Sequence, residues 1–151
     1  MPSLKALRKR IATVRSTQKI TKAMKKVAGP LRIELAQFRE MAAFAQFSSD
    51  LDATTKRQLD RGERLVEVMK QGQFMPLPVE KQIVIIYAAT NGHLDALPVT
   101  AVQRYEKELY AFLEAKHAAV LPAVRDKKEL TNDVKGKLDA ALADFGKLFK
   151  A

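Results

Sequence analysis

The sequence predicts an all-α protein: a bundle of about six helices with one basic amphipathic helix at its N-terminus. Apolar residues recur at helical spacing along most of the chain, and only one stretch is rich in strand-forming residues. A length of 151 residues is enough for one sizeable core. Cysteine is absent, so disulfides and thiolate metal sites are excluded. No apolar run approaches the ~20 residues that span a bilayer.

The first 28 residues carry an unusual charge. They contain nine of the 27 Lys and Arg residues and none of the 17 acids, whereas residues 29–151 have a net charge of +1. A narrow apolar stripe predicts an amphipathic helix that lies against one partner, with a break or kink at Gly29-Pro30. The stripe consists of Leu4, Leu7, Ile11 and Val14 and, after a phase shift, Ile20, Met24 and Val27.

Broader apolar faces follow, which is typical of core helices. Leu31, Leu35, Phe38, Ala42 and Ala45 form one side, widened by Met41, Phe44 and Phe47.

The sequence "FSSDLD", residues 47–52, then predicts a helix end because Ser and Asp cap helices and turns. Residues 53–70 predict two short helical pieces around Arg61-Gly62. "QGQFMPLPVE" is a predicted connector, since proline biases the preceding residue toward extended backbone.

The segment "VEKQIVIIYAATNG", residues 79–92, is ambiguous between a buried strand and a buried helix. We favour a helix because no second strand exists to pair with it, and an unpaired strand leaves backbone groups without hydrogen bonds. Asn91-Gly92 is a suitable helix end.

The remaining residues are plainly helical. Thr131 or Asn132 is the expected cap of the last helix, with Asp133 in its first turn. The predicted apolar positions are Val102, Tyr105, Leu109, Phe112, Leu113, residues 120–124, Val134, Leu138, Ala141, Phe145 and Leu148.

Residues suited to catalysis or to cofactor binding are few. His93 and His117 each lack a metal-ligand companion one helical turn away, so surface or capping roles are favoured. No phosphate-binding GxxxxGK[ST] loop occurs. Acid pairs two residues apart, such as Glu106 and Glu108, point to different faces of a helix. We therefore expect no catalytic residues, no cofactor and no metal.

From Lys22 onward the chain closely resembles the C-terminal helical domain of the alpha subunit of F-type ATP synthases. The resemblance rests on "KAMKKVAGPLRIELAQFREMAAFAQFSSDLD" and continues through "EKQIVIIYAATNGHLD". The family usually has Gly where this chain has Ser48. Because Gly adopts positive φ easily and Ser does not, the backbone of this loop is expected to differ.

The opening "SLKALRKRIATVRSTQKITKAMKKVA" resembles the N-terminal helix of the gamma subunit, the rotor of the same enzyme. "KAMKKVA", residues 22–28, fits both subunits, so the chain is interpreted as a hybrid. Residues 1–28 form the gamma-like helix and residues 29–151 the alpha-like bundle. Without the second helix of the gamma coiled coil, the stripe is expected either to fold back on the bundle or to project as a continuous helix.

The resemblance implies a structural fragment of the enzyme that couples proton flow to ATP synthesis, without its nucleotide-binding domain. Its implied partners are the alpha, beta and gamma subunits, and its implied location is cytoplasmic, peripheral to the inner or plasma membrane and not integral to it. Two contact regions are implied: a rotor-facing loop of Ser48, Ser49, Asp50, Leu51 and Asp52, and a basic helix contact of Leu4, Leu7, Arg8, Arg10, Ile11, Val14 and Lys19. The two Asp residues of the loop are equally well explained as local caps.

A different class of function remains open. A basic helix without acids can bind nucleic acid or an anionic membrane, because Lys and Arg displace counterions or sit near anionic lipids. Its composition also suits a mitochondrial transit sequence. Residues 1–28 contain no aromatic side chain for base stacking, which favours the synthase interpretation.

Overall fold

A computed structural model describes residues 4–47, 51–72 and 75–151, with side chains from residue 22 onward. Within these ranges the protein has six α-helices and no strand, which confirms the all-α prediction. The helices are α1 (Leu4–Ala45), α2 (Ala53–Val68), α3 (Val79–Thr90), α4 (Val102–Lys116), α5 (Val120–Lys127) and α6 (Asn132–Leu148), with a 3₁₀ turn at Val99–Ala101 before α4.

Helix α1 continues through Pro30, so of the predicted break or kink at Gly29-Pro30 the break was wrong. Proline removes one backbone hydrogen bond from a helix interior. Packing outweighs this loss, because Ala23, Val27 and Leu31 are buried in the core, against which α1 packs. The Lys26 ammonium also donates to the Leu130 carbonyl at 3.3 Å. The C-terminal part of the basic segment therefore belongs to the bundle.

Helix α2 is one continuous helix and forms a hairpin with α1. The prediction of two pieces around Arg61-Gly62 was wrong, because Gly62 is buried within the helix and does not end it. Its missing side chain lets α1 and α2 approach closely, as described below. The predicted end of α1 before "FSSDLD" was correct, since the helix stops at Ala45.

Helix α3 lies at the centre of the bundle. Its seven residues 83–89 are all buried, which explains the absence of amphipathic alternation in this stretch. It packs against α1, α2 and α5, and the helix favoured by sequence context is confirmed. The helix ends at Asn91, and Gly92 follows with a φ of +84°, a conformation suited to glycine.

The C-terminal helices close the core around an aromatic cluster. The Tyr105 ring packs edge-on against Phe145 and Phe149, with ring centroids 5.0 and 5.1 Å apart. Thr131 caps α6 by accepting from the Val134 N–H. Leu148, expected in the core, is 65% exposed, because Phe149 takes the inward position instead.

Candidate functional site

The tip of the α1–α2 hairpin exposes two aromatic side chains. Phe44 is 71% and Phe47 is 90% exposed, so the prediction that both widen a core face was wrong. The Phe47 N–H donates to the Phe44 carbonyl at 3.1 Å and closes the last turn of α1. Large apolar side chains that water surrounds at the end of a hairpin are typical of a protein-binding surface.

Asp52 caps α2 beside this tip. Its Oδ1 accepts from the N–H groups of Thr54 and Thr55 at 2.8 and 3.0 Å, and its Oδ2 accepts from the Thr55 hydroxyl at 2.6 Å. These hydrogen bonds, that of the Thr55 hydroxyl above all, lower the pKa of Asp52. Asp52 is therefore an ionised cap that stays exposed to a partner.

The hairpin is joined to the bundle by an ionic network centred on Arg61. The guanidinium donates to Glu34 Oε2 on α1 at 2.8 Å and to the carbonyl of Thr90, the last residue of α3, at 2.7 Å. It also donates to Asp95 in the following loop. The hydrogen bond to Glu34 is the main reason that the pKa of Arg61 is raised. One side chain thus links three elements.

The two hairpin helices touch where Gly62 faces Phe38. A Cβ atom on residue 62 would lie 2.1 Å from Phe38 Cδ2 and 2.6 Å from Phe38 Cβ. Real Cβ atoms do not approach so closely, so any larger residue here forces the helices apart. Together with the Arg61 network, this contact holds the hairpin in a fixed orientation.

The described residues offer nothing that suggests catalysis. Among them no group of three His, Asp or Glu side chains could hold a metal ion. His117 follows the last residue of α4, and its Nε2 atom lies 3.6 Å from Asp144 Oδ2. Among the described residues, no third acid or histidine joins this pair to form a metal-ligand cluster. Glu106 is buried and Glu108 is exposed, so the two carboxylates lie on different faces. No helix in the described ranges is long and apolar enough to cross a membrane.

The remaining predicted contact residues lie partly outside the described side chains. In the rotor-facing loop, Leu51 and Asp52 are described, while Ser48, Ser49 and Asp50 are not. The basic helix residues lie on the α1 backbone, but their side chains are outside the described part: Leu4, Leu7, Arg8, Arg10, Ile11, Val14 and Lys19. Their contacts, and the choice between a folded-back and a projecting helix, stay predictions.

Residues 20–145 match the family "ATP synthase alpha/beta chain, C terminal domain". The chain belongs to this family. The resemblance to the C-terminal helical domain of an ATP synthase head subunit is therefore confirmed, at the level of the joint alpha/beta family. The gamma-like interpretation of the first residues, and with it the hybrid and the domain boundary near residue 28, remains a prediction.

In this ATP synthase domain, the Arg61 network was not predicted from the sequence. Its members are far apart along the chain: Arg61 lies 27 positions after Glu34, and Asp95 lies 34 positions after Arg61. No local periodicity connects residues at such separations. A partial signal was Gly62 within a helical pattern, because glycine permits a close approach of two backbones and so places its neighbour Arg61 near another element.

Proposed function

We propose that this chain is a non-catalytic structural module of the ATP synthase head, which docks on the alpha, beta or gamma subunits. The observation that carries this proposal is the family match over residues 20–145, combined with a hairpin tip whose aromatic side chains are exposed. The absence of a phosphate-binding loop from the sequence supports a role in assembly and not in nucleotide hydrolysis.

The first proposed contact is the loop at residues 48–52. Its support comes from two residues: Phe47, just before the loop, is almost fully exposed, and Asp52, the last residue of the loop, is an ionised cap of α2. The Arg61 network holds the hairpin to α3, so that the loop is presented from a rigid support. An acidic loop opposite a basic rotor helix would be electrostatically complementary.

The second proposed contact is the basic helix. The α1 backbone continues from Ala23, which is buried in the bundle, back to Leu4, a distance of ~28 Å at 1.5 Å per residue. We propose that its apolar stripe packs on a synthase subunit. We also propose that the chain lies with the enzyme head, on the cytoplasmic side of the coupling membrane and peripheral to it.

Polyanion binding is the second candidate function, favoured by the concentration of nine basic residues in the first 28. The two functions differ in their dependence on salt. Binding to phosphates releases counterions and weakens steeply as salt rises. Binding through apolar faces survives salt, because only the charge interactions are screened.

Co-sedimentation of the purified chain with purified ATP synthase head tests the proposal, at about 0.1 M and about 1 M salt. We expect binding that persists at high salt and is lost in Leu7→Asp and Ile11→Asp. Neutralising Arg8, Arg10 and Lys19 to Gln should reduce it only slightly.

The opposite pattern would contradict the proposal. Loss of head binding at high salt, with nucleic acid retained at low salt and released by the Gln variant, would identify a polyanion binder.

A further inference from the structure

A cavity of about 260 Å³ lies between α1, the C-terminal end of α3 and the segment that leads into α6. Val27, Pro30 and Leu130 supply its apolar wall, and two lysines, Lys26 on α1 and Lys135 on α6, supply charge. Val27 and Leu130 are core residues, so the packing of the bundle fixes this side of the wall. The volume is slightly below the ~300 Å³ at which typical small-molecule sites begin, so the cavity suits a small ligand.

The neutral polar side chains of the wall each donate a hydrogen bond within the protein. The Tyr87 hydroxyl donates to Asp139 Oδ1 at 2.8 Å, and the Thr90 hydroxyl donates to the Ile86 carbonyl at 2.9 Å. The Asn91 amide donates to the Tyr87 carbonyl at 2.8 Å. Asp139 is exposed and is not part of the wall. The donors that remain for a ligand are therefore mainly the two ammonium groups.

Both lysines have N–H groups to spare and lack a carboxylate partner. Lys26 Nζ donates one of its three N–H groups to the Leu130 carbonyl at 3.3 Å. Lys135 is half-buried, and the nearby acid Asp133 is paired with two other lysines. Neither ammonium lies within 4.0 Å of a carboxylate oxygen among the side chains that the structure describes. Two positive charges without an ion-pair partner thus border one cavity.

We propose that this cavity binds the phosphate group of a small phosphate compound, with Lys26 and Lys135 as its cationic partners. A phosphate monoester carries about −1.5 to −2 charges at pH 7, which matches two ammonium groups. A carboxylate would leave one of them unpaired. The lysine ammonium is a compact charge suited to phosphate, whereas the planar fork of arginine matches a carboxylate in bidentate fashion. An organic group on the phosphate would lie against Val27, Pro30 and Leu130.

This inference does not rest on either function proposed above. The cavity residues belong neither to the loop at residues 48–52 nor to the set proposed for the basic helix. Neutralising Arg8, Arg10 and Lys19 should therefore leave phosphate binding at the cavity unchanged, although it should release a polyanion from the basic helix. Loss of synthase binding and loss of phosphate binding are separately observable.

The probes for the test are inorganic phosphate and phenyl phosphate, titrated into the full chain at about 0.15 M NaCl to screen non-specific attraction. The readout is the shift of individual backbone amides in two-dimensional NMR spectra, which separates the cavity from the basic N-terminal segment. The site variants are Lys26→Gln and Lys135→Gln. The matched controls are Lys25→Gln and Lys137→Gln, which change exposed lysines of the same helices outside the wall by the same charge.

We expect saturable shifts at the amides of Thr90, Asn91 and Lys135, with a dissociation constant on the order of 1 mM. Each site variant should weaken binding at least about tenfold, because it removes a charged hydrogen bond. Each control should change binding by less than about twofold. Lys135→Gln leaves the bond from Lys26 to Leu130 in place, and circular dichroism confirms that each variant keeps its helices.

The two probes distinguish the sources of the phosphate group. Tighter binding of phenyl phosphate would identify an organic phosphate as the ligand, through contact of its ring with the apolar wall. Equal binding of both probes would identify free phosphate. Either result supports the proposed site.

Three results would overturn the proposal. The first is the absence of saturable shifts at the cavity amides. The second is an equal loss of binding in the site variants and in their controls, which would show attraction to net charge alone. The third is binding of benzoate as tight as that of phenyl phosphate, which would exclude recognition of the phosphate group.

Discussion

Gly62 lies in the close contact between α1 and α2, and its replacement tests how tightly the hairpin is packed. Gly62→Ala should lower the free energy of unfolding by about 2 kcal/mol, because overpacking of ~3 kcal/mol outweighs the ~1 kcal/mol that Ala contributes to helix propensity. The new Cβ would meet the Cβ of Phe38 as well as its ring, so rotation of the ring alone cannot relieve the clash. Urea unfolding followed by circular dichroism measures the change.

Gly136→Ala is the matched control for this prediction. Gly136 is in the interior of α6, and a Cβ there meets nothing within 4 Å. The substitution should stabilise the protein by about 1 kcal/mol through helix propensity alone. If both alanine variants were stabilised equally, the close contact between the hairpin helices would not exist.

Glu106 is the buried charged residue among those the structure describes, with 6% of its surface exposed. The Tyr110 hydroxyl lies 2.8 Å from Glu106 Oε1 and 3.2 Å from the Lys81 carbonyl oxygen. The Tyr110 hydroxyl donates to the Glu106 carboxylate, with the Lys81 carbonyl as its second acceptor. Burial raises the pKa of Glu106 above its usual value of 4.5, although the Tyr110 hydrogen bond acts in the opposite direction.

The raised pKa predicts how stability depends on pH. The folded state holds the Glu106 proton more strongly than the unfolded state does, so this stabilisation is complete below the usual pKa of 4.5. It is lost as pH rises through the raised folded pKa. Glu106→Gln keeps the size of the side chain and removes the titration, so its stability relative to the wild type should increase as pH rises.

Urea unfolding of both proteins from about pH 4 to about pH 8 measures this difference, with other titrating groups common to both. The pKa values of Asp52 and Asp133 are lowered, so their contributions to stability increase as pH rises. These contributions are the same in both proteins and therefore cancel in the comparison. A difference between the two proteins that stayed constant with pH would show that Glu106 does not titrate differently on folding.

At the scale of elements, the Arg61 network joins α1, α2 and α3. Arg61→Met should cost about 2 kcal/mol of unfolding free energy, because Glu34 and the Thr90 carbonyl lose a charged donor in a partly buried site. Arg57→Met is the control. Arg57 is exposed one turn earlier on α2, and its bond to the Thr54 hydroxyl is long at 3.4 Å. Equal effects of the two variants would exclude a joining role for the network.

Comparison of the predicted and observed helices shows where the sequence pattern was sufficient to predict a helix and its ends. For α3, the absence of any partner strand outweighed the β-forming residues, and the helix was predicted correctly. Gly29-Pro30 was predicted to be a break or kink and Arg61-Gly62 to separate two helical pieces, and both lie inside continuous helices. Local propensity opposes a helix at these positions by ~1 to ~3 kcal/mol, but tertiary packing of the flanking apolar residues exceeds it. That packing cannot be derived from a local window.

The functional surface was also only partly predictable. The cap at Asp52 follows from local chemistry, and the structure has it. The exposure of Phe44 and Phe47 did not follow, because apolar periodicity indicates a core face without specifying what covers it. Lys25, Arg32 and Arg39 are regularly spaced in the sequence, yet only the structure shows that all three are exposed.

At the scale of the whole molecule, an almost neutral bundle is joined to a strongly basic helix through one uninterrupted α1. The bundle belongs to the ATP synthase C-terminal domain family. Because α1 is continuous, the basic part and the α1–α2 hairpin share one helix, which is a physical route for coupling between them. We therefore expect binding of the basic helix to protect backbone amides of α2 from hydrogen exchange, and unchanged exchange would argue against such coupling.

Recovery of the tagged chain from cells that contain a normal ATP synthase tests the central claim most directly. The captured material is washed at low and at high salt, and bound proteins and nucleic acid are then identified. Our account predicts that alpha, beta or gamma subunits remain bound after the high-salt wash. Recovery of nucleic acid that high salt removes, with no synthase subunit at either salt concentration, would contradict it.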